Sequence, residues 1–253
     1  FEYRLKQTNF GKYGQQSGRV YLSIPQAGGS NYEFQFPWRT VAFSPDGRVV
    51  TAGANTGVVS SFSTASLEAV QSFGGRASQV FAASTSRDGR WMATVLDGRR
   101  AGLWDIALGR QVRTFSPPSG LVSAVALSPD GSLIAVGVGN LESRMNGASV
   151  SGPIQIWSTV NGQPVATLKG HFDVAPQLTF MPGGRQLLSA SFDGTARLWN
   201  LQTGEEVRRF SSDGEHFLAV AVSPNGQTVA VGTSSASAIV WDAASGRKLA
   251  VLR

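Results

Sequence analysis

Few side chains in this chain of 253 residues could do chemistry. Histidine occurs twice, at His171 and His216, too few for a multi-histidine metal centre. Cysteine is absent, which removes a disulfide framework, a thiolate metal site and a thiol nucleophile together. No Ser-His-Asp order places a serine on a nucleophile elbow. No Gly-x-Gly-x-x-Gly opens a helix, and no P-loop is present. Carboxylate pairs such as Glu205-Glu206 fall on an outer hairpin, where a solvated face is the simpler reading than acid–base work. The expectation is a protein without catalytic residues, metal or cofactor.

The composition allows one or two sizeable cores: 42% of residues are hydrophobic and only 15% charged. No apolar run approaches the ~18 residues a membrane-crossing helix needs. Lys and Arg number 22 against 16 Asp and Glu, a net charge of +6. The basic residues are 18 Arg and 4 Lys, a skew that fits a GC-rich bacterial genome. The chain begins Phe1-Glu2-Tyr3-Arg4, without Met or a signal-peptide core, which reads as a processed form or a piece of something longer. A cytoplasmic location is favoured, with a periplasmic or extracellular one left open.

The elements that would position any site follow a period. Ser44-Pro45-Asp46-Gly47, Ser86-Arg87-Asp88-Gly89, Ser128-Pro129-Asp130-Gly131, Met181-Pro182-Gly183-Gly184 and Ser223-Pro224-Asn225-Gly226 place glycines 42, 42, 53 and 42 residues apart. Phe62, Trp104, Trp157, Trp199 and Trp241 keep step. The aromatic lies 15 residues after the turn glycine in four units and 26 after it in the third. The period is therefore 42, with one insertion of 11 residues. Five residues past the aromatic come Gly109, Gly162, Gly204 and Gly246, and eleven past it Phe73, Phe115, Leu168, Phe210 and Leu252. Agreement at four phases marks a true repeat.

Each unit reads as four short strands. Apolar runs such as Val125-Ala126-Leu127 and Val220-Ala221-Val222 precede the turn and read as inner strands buried on both faces. Pro fixes φ in the turn, Asp bonds its own backbone, and Gly takes the left-handed exit. A four-stranded sheet of this size cannot bury both faces alone, and stacking copies radially does. The expected fold is all-β: a propeller of four-stranded antiparallel blades.

The period, the turn and the strand-ending pairs Trp104-Asp105, Trp199-Asn200 and Trp241-Asp242 resemble WD40 repeats. The resemblance covers 38–253, divided at about 38–78, 79–120, 121–173, 174–215 and 216–253. It implies a structural tetrad of His171, Ser189, Asp193 and Trp199, hydrogen-bonded inside the fourth unit. Residues 1–37 read as a degenerate partial blade, with strands at Tyr3–Lys6, Val20–Ile24 and Tyr32–Phe36. The expected total is six or seven blades, the ring completed by a missing segment or a partner chain because raw strand edges aggregate.

The resemblance also implies a platform whose loops project on two faces. The insertion at about Asn140–Gly152 falls in a second-to-third strand turn and offers Leu141, Arg144 and Met145 as partner contacts. Arg76, Arg99, Arg100, Phe192 and His216 are assigned to the same face, since arginine and aromatic residues favour interfaces. Nucleic-acid binding is disfavoured because the arginines scatter over both faces and the rim, with Arg113, Arg208 and Arg209 on outer strands. An acidic protein partner or an anionic membrane surface suits the charge. The leading expectation is a non-catalytic interaction scaffold within a larger assembly. Its alternative is a sensory or regulatory propeller attached to a catalytic domain.

Overall fold

The structure, a computed structural model, describes residues 23–25, 31–33, 38–43, 48–54, 58–66, 68–74, 82–96, 98–118, 120–139, 152–212 and 214–253. Among them every regular element is a strand. The first two, β1 (Ser23–Pro25) and β2 (Asn31–Glu33), form an antiparallel pair. Five four-stranded sheets follow. Blade 1 holds β3 (Trp38–Phe43), β4 (Val49–Ala54), β5 (Val58–Ser63) and β6 (Ala69–Gly74). Blade 2 holds β7 (Ala83–Thr85), β8 (Trp91–Leu96), β9 (Arg100–Asp105) and β10 (Arg110–Phe115). Blade 3 holds β11 (Leu121–Leu127), β12 (Leu133–Gly139), β13 (Ile154–Ser158) and β14 (Pro164–Leu168). Blade 4 holds β15 (Gln177–Phe180), β16 (Gln186–Ala190), β17 (Thr195–Asn200) and β18 (Glu206–Ser211). Blade 5 holds β19 (Phe217–Val222), β20 (Thr228–Thr233), β21 (Ala238–Asp242) and β22 (Lys248–Leu252).

Within each blade the strands pair antiparallel in chain order. Successive blades meet through their first strands, β3 with β7, β7 with β11, β11 with β15 and β15 with β19. This is a β-propeller, and among the described residues it has five four-stranded blades where six or seven were expected. From the N-terminal segment the structure describes the β1–β2 pair; the strand expected at Tyr3–Lys6 lies outside the described residues.

The turn chemistry explains why the period is strict. Ser128 Oγ–H donates to Asp130 Oδ1 at 2.6 Å while Ser128 Oγ accepts from Leu133 N–H at 2.9 Å. Ser223 and Asn225 repeat this bond at 2.6 Å. The glycine that follows has φ near +71° at Gly89, Gly131 and Gly184, a region costly for any residue with a Cβ. The residue after the aromatic caps the next hairpin: Asp105, Asn200 and Asp242 each accept from a backbone N–H, at 3.0, 2.8 and 2.7 Å.

A further phase obeys the same ruler. Eight residues past the aromatic, Val70, Val112, Val165, Val207 and Leu249 are 41–56% exposed. In all five blades this residue is the unpaired one of a β-bulge between the third and fourth strands. A bulge on the outermost strand twists the sheet edge away from pairing with another chain.

Blades are stitched together by side chains. Leu127 N–H donates to Ser84 Oγ at 3.0 Å and Val220 N–H to Gln177 Oε1 at 3.3 Å. On the outer strands Arg113 donates to the carbonyls of Thr159 and Val160, at 3.2 and 3.0 Å, and Arg208 to that of Ser245 at 2.9 Å. Each of these arginines clamps the hairpin of the following blade. The first strands line a cavity of about 540 Å³ on the axis, with Ser84, Thr85, Gln177 and Thr179 among its walls and, among the described residues, no charged side chain.

Candidate functional site

The densest polar cluster lies inside blade 4. Gly170-His171 opens the link from blade 3 to blade 4, Ser189 is on β16, Asp193 is in the turn to β17, and Trp199 is on β17. His171 Nδ1 is 2.8 Å from Asp193 Oδ2 and its Nε2 is 2.7 Å from Ser189 Oγ. Trp199 Nε1–H donates to the same Ser189 Oγ at 2.9 Å. Asp193 has no proton to give, so Nδ1–H donates to it and Ser189 O–H donates to Nε2. The order runs Trp199, Ser189, His171, Asp193, with every donor used once.

Serine, histidine and carboxylate here share the contacts of a hydrolytic triad. Their surroundings differ from those such chemistry needs. Ser189 is 0% exposed, so a substrate cannot reach it, and its oxygen is already held by an indole. The cluster works as a buried clasp between the link and the sheet.

Asp193 is its hub. Besides His171, its carboxylate accepts from Phe172 N–H at 3.0 Å, Thr195 N–H at 2.9 Å and Thr195 Oγ1–H at 2.6 Å. Burial disfavours the charge, but the hydrogen bond from His171 and the bonds from Thr195 and Phe172 outweigh it, holding this carboxyl well below the usual range.

Sequence reasoning missed Arg197, which is 2% exposed. Its Nη1 is 2.9 Å from Glu206 Oε2, and its Nη2 lies 3.5 Å from Asp193 Oδ2 without a hydrogen bond. Arg209 Nε is 2.9 Å from Glu206 Oε1. Burial opposes ionisation of Glu206, but bonds from Arg209 and the charge of Arg197 outweigh it and keep its pKa low. Glu206, read from the sequence as a solvated carboxylate, therefore bridges two arginines. Gly170 makes room for the guanidinium, because a Cβ there would stand 2.6 Å from Arg197 Nη1.

The second missed residue is Phe172, 72% exposed. Its backbone is tied to Asp193 and its ring lies 5.7 Å from the Arg197 guanidinium. Phe192, adjoining Asp193 in the turn, is half-buried. His216, exposed, donates from Nδ1 to the Phe192 carbonyl and meets its ring edge-on at 6.4 Å. The structure thus brings Phe192 and His216 together, with Phe172 anchored to the same hub. The signal that could have found Phe172 is its place in the link, an aromatic directly after the clasp histidine.

Second-to-third strand turns and inter-blade links share one face. Val122 N–H donates to the Gly98 carbonyl at 2.8 Å, and Phe217 N–H to that of Ser191 at 3.1 Å. Arg99 and Arg100 lie exposed on that face in blade 2, two blades from Phe192. Leu141, Arg144, Met145 and Arg76 lie outside the described residues. The strands on either side of the insertion are β12 and β13.

Other blades keep parts of the clasp. In blade 2, Trp104 Nε1–H donates to Thr94 Oγ1 at 2.9 Å, and Thr94 holds the register of Ser189. In blade 5, Ser235 takes the place of Asp193 and donates to Glu215 at 2.6 Å, a bond that lowers the Glu215 pKa. Ala236 there sits at φ +59°, where blade 4 has Gly194 at +78°. Ala236→Gly is expected to raise stability by about 1 kcal/mol, read as a higher thermal midpoint.

Among the described residues no group of three His, Asp or Glu could hold a metal ion, and no helix is long and apolar enough to cross a membrane.

The family model "WD domain, G-beta repeat" matches at residues 109–141, 162–200 and 204–242. A Periodic tryptophan protein 2 homolog of Dictyostelium discoideum is 27% identical over 227 residues, 88% of this chain and 23% of that protein. Its Neurospora crassa counterpart is 30% identical over 133 residues, 52% of this chain and 14% of that protein. The Nuclear distribution protein nudF of Aspergillus niger is 28% identical over 135 residues, 45% of this chain and 28% of that protein. The chain spans under a third of the length of these relatives. All are eukaryotic, which overturns the expected bacterial source. The arginine skew has structural uses instead: Arg113, Arg197 and Arg208 need a planar fork that lysine lacks.

Proposed function

We propose that this chain, a WD40-repeat protein, is a non-catalytic platform that docks a protein partner on the face carrying its second-to-third strand turns, as part of a larger assembly. The observation that carries the reading is Phe172. An aromatic side chain 72% exposed is otherwise a cost at the surface, and here its backbone is tied to a buried carboxylate that takes four hydrogen bonds. Rigid aromatics lose little entropy on binding and are favoured contact anchors. Phe192 and His216 extend the patch, and the insertion with Leu141, Arg144 and Met145 belongs to the same candidate surface, as do Arg76, Arg99 and Arg100. A partner with acidic residues beside an apolar anchor suits the net charge of +6. That the chain spans 23% of the Dictyostelium relative supports a role as one module of a longer protein or complex.

The test compares partner capture by the unaltered chain, by Phe172→Ala and by a chain lacking residues 141–151, with quantitative mass spectrometry. Phe172→Ala is expected to weaken the principal interaction about 30-fold or more and to move the thermal midpoint little. Deleting 141–151 is expected to weaken capture with equally little effect on melting. Unchanged capture by both variants rules this face out.

A further inference from the structure

Ser128, Ser189, Ser223 and Ser235 spend their hydroxyls on the fold. Ser211 does not. It is the last residue of β18, is exposed, and its hydroxyl makes no hydrogen bond among the described residues. Arg208 and Arg209 stand three and two residues before it. The chain has one other Arg-Arg pair, Arg99-Arg100, and Gly102 takes the place of Ser211 after it. Two cations at these places before an unbonded hydroxyl are the charge pattern that arginine-directed protein kinases read. The backbone suits that reading, because such an enzyme takes its acceptor as an extended segment. Past the bulge at Val207, residues 208–211 pair regularly with Leu198, Arg197, Ala196 and Thr195. β18 is the outermost strand of its blade, and among the described residues no strand pairs with its other edge. Blade 2 supplies an internal comparison. Ser116 follows Phe115 as Ser211 follows Phe210 and is also exposed, but Arg113 and Thr114 replace the two arginines. Arg113 is held by the carbonyls of Thr159, Val160 and Asn161. Arg208 is held by one carbonyl, that of Ser245, and the Arg209 side chain is 50% exposed.

The surroundings also suit the product. Side chains two apart on a strand share a face, so Ser211 lies beside Arg209, opposite Thr195 and diagonal to Arg197. Glu206 is divided between the two arginines, 2.9 Å from each. When Arg209 turns to a phosphate on Ser211, Glu206 keeps Arg197, so the buried guanidinium retains its partner. We propose that Ser211 is a phosphorylation site for an arginine-directed protein kinase, and that Arg209 first guides the kinase and then pairs the product phosphate. In the reaction Ser211 Oγ attacks the γ-phosphorus of ATP, the bond to the β–γ bridging oxygen breaks, ADP leaves, and the hydroxyl proton passes to the kinase's aspartate. The product adds a charge of about −1.5 to −2 at the rim of the loop face, across the strand pair from the turn that carries Asp193. The inference uses neither Phe172 nor a docked partner, so it and the proposed function fail separately.

The test treats the folded chain with ATP and the catalytic subunit of cyclic-AMP-dependent protein kinase, reading site and rate by mass spectrometry. Phosphate is expected on Ser211, with Ser116 slower by about 10-fold or more, and Ser211→Ala is expected to abolish the main product. Arg209→Ala is expected to slow the reaction about 10- to 100-fold, the loss of one charge-assisted contact, while moving the thermal midpoint little. Leu168→Ala, which raises the unfolded population without touching this segment, is expected to leave the rate unchanged. Phosphorus NMR of the product is expected to show the phosphate titrating below its usual value of about 6, and returning to it in Arg209→Ala modified by longer exposure. No incorporation at Ser211, or a rate indifferent to Arg209→Ala, overturns the proposal. A rate that climbs with the unfolded population in Leu168→Ala overturns it as well, because the native strand is then not the substrate. A phosphate that titrates alike with and without Arg209 overturns the pairing of the product.

Discussion

Replacing Asp193 by alanine is expected to lower stability by about 3–5 kcal/mol, read as a lower urea midpoint. The size follows from what the carboxylate leaves behind. Arg197 is 2% exposed and would keep Glu206 alone for two nearby guanidinium groups. His171 Nδ1–H and both donors of Thr195 would lose their acceptor inside the blade, and each unpaired buried donor is costly. Asp193→Asn keeps one acceptor oxygen and loses the charge, so its loss should be smaller, about 1–3 kcal/mol. The pH dependence has a definite sign. Folding depresses the Asp193 pKa, so its contribution is complete above the unfolded value of about 4 and is lost as pH falls below it toward the folded value. The unaltered protein should therefore lose stability between about pH 4 and pH 2 more steeply than Asp193→Asn. Parallel acid profiles for the two proteins would mean that the carboxylate is not charged in the fold.

The same residue marks how far the sequence could be read. Turn glycines, strand-ending aromatics and the positions five and eleven residues beyond them were legible because each is a side-chain type demanded by local backbone at a fixed phase. The apolar residue eight past the aromatic obeys the period as well, yet Val207 in Val-Arg-Arg-Phe looks like any strand residue. Only the register shift at Leu198 and Trp199 shows that it is the unpaired residue of a bulge. The clasp was legible as four residue types, and its triad-like order of bonds was not, because hydrogen-bond partners 10 to 22 residues apart meet only once the sheet is folded. Arg197 was hidden for a plainer reason. An arginine on a strand reads as solvated, and nothing local reveals that Asp193 and Glu206 converge on it from two other places. The scattered arginines misled in the same way. Arg113 and Arg208, read as surface charge, are bound to the carbonyls of the neighbouring hairpin.

Leu168→Ala and Leu252→Ala should differ by several-fold in cost although residue, register and repeat are the same. Leu168 is 1% exposed beneath blade 4; truncating it removes buried methyl groups and leaves a cavity between two sheets, costing about 2–5 kcal/mol. Leu252 is 58% exposed and has water where Leu168 has Trp199, so its truncation should cost under about 1 kcal/mol. Phe210→Ala, at 2% exposure against Trp241, should fall with Leu168→Ala or above it. The contrast isolates the stabilisation a following blade provides, since everything within the blade is matched. Equal losses at 168 and 252 would show that the last face is covered in solution. The expected inequality assigns to the interface between blades 3 and 4 the stabilisation that the matched residue of blade 5 lacks.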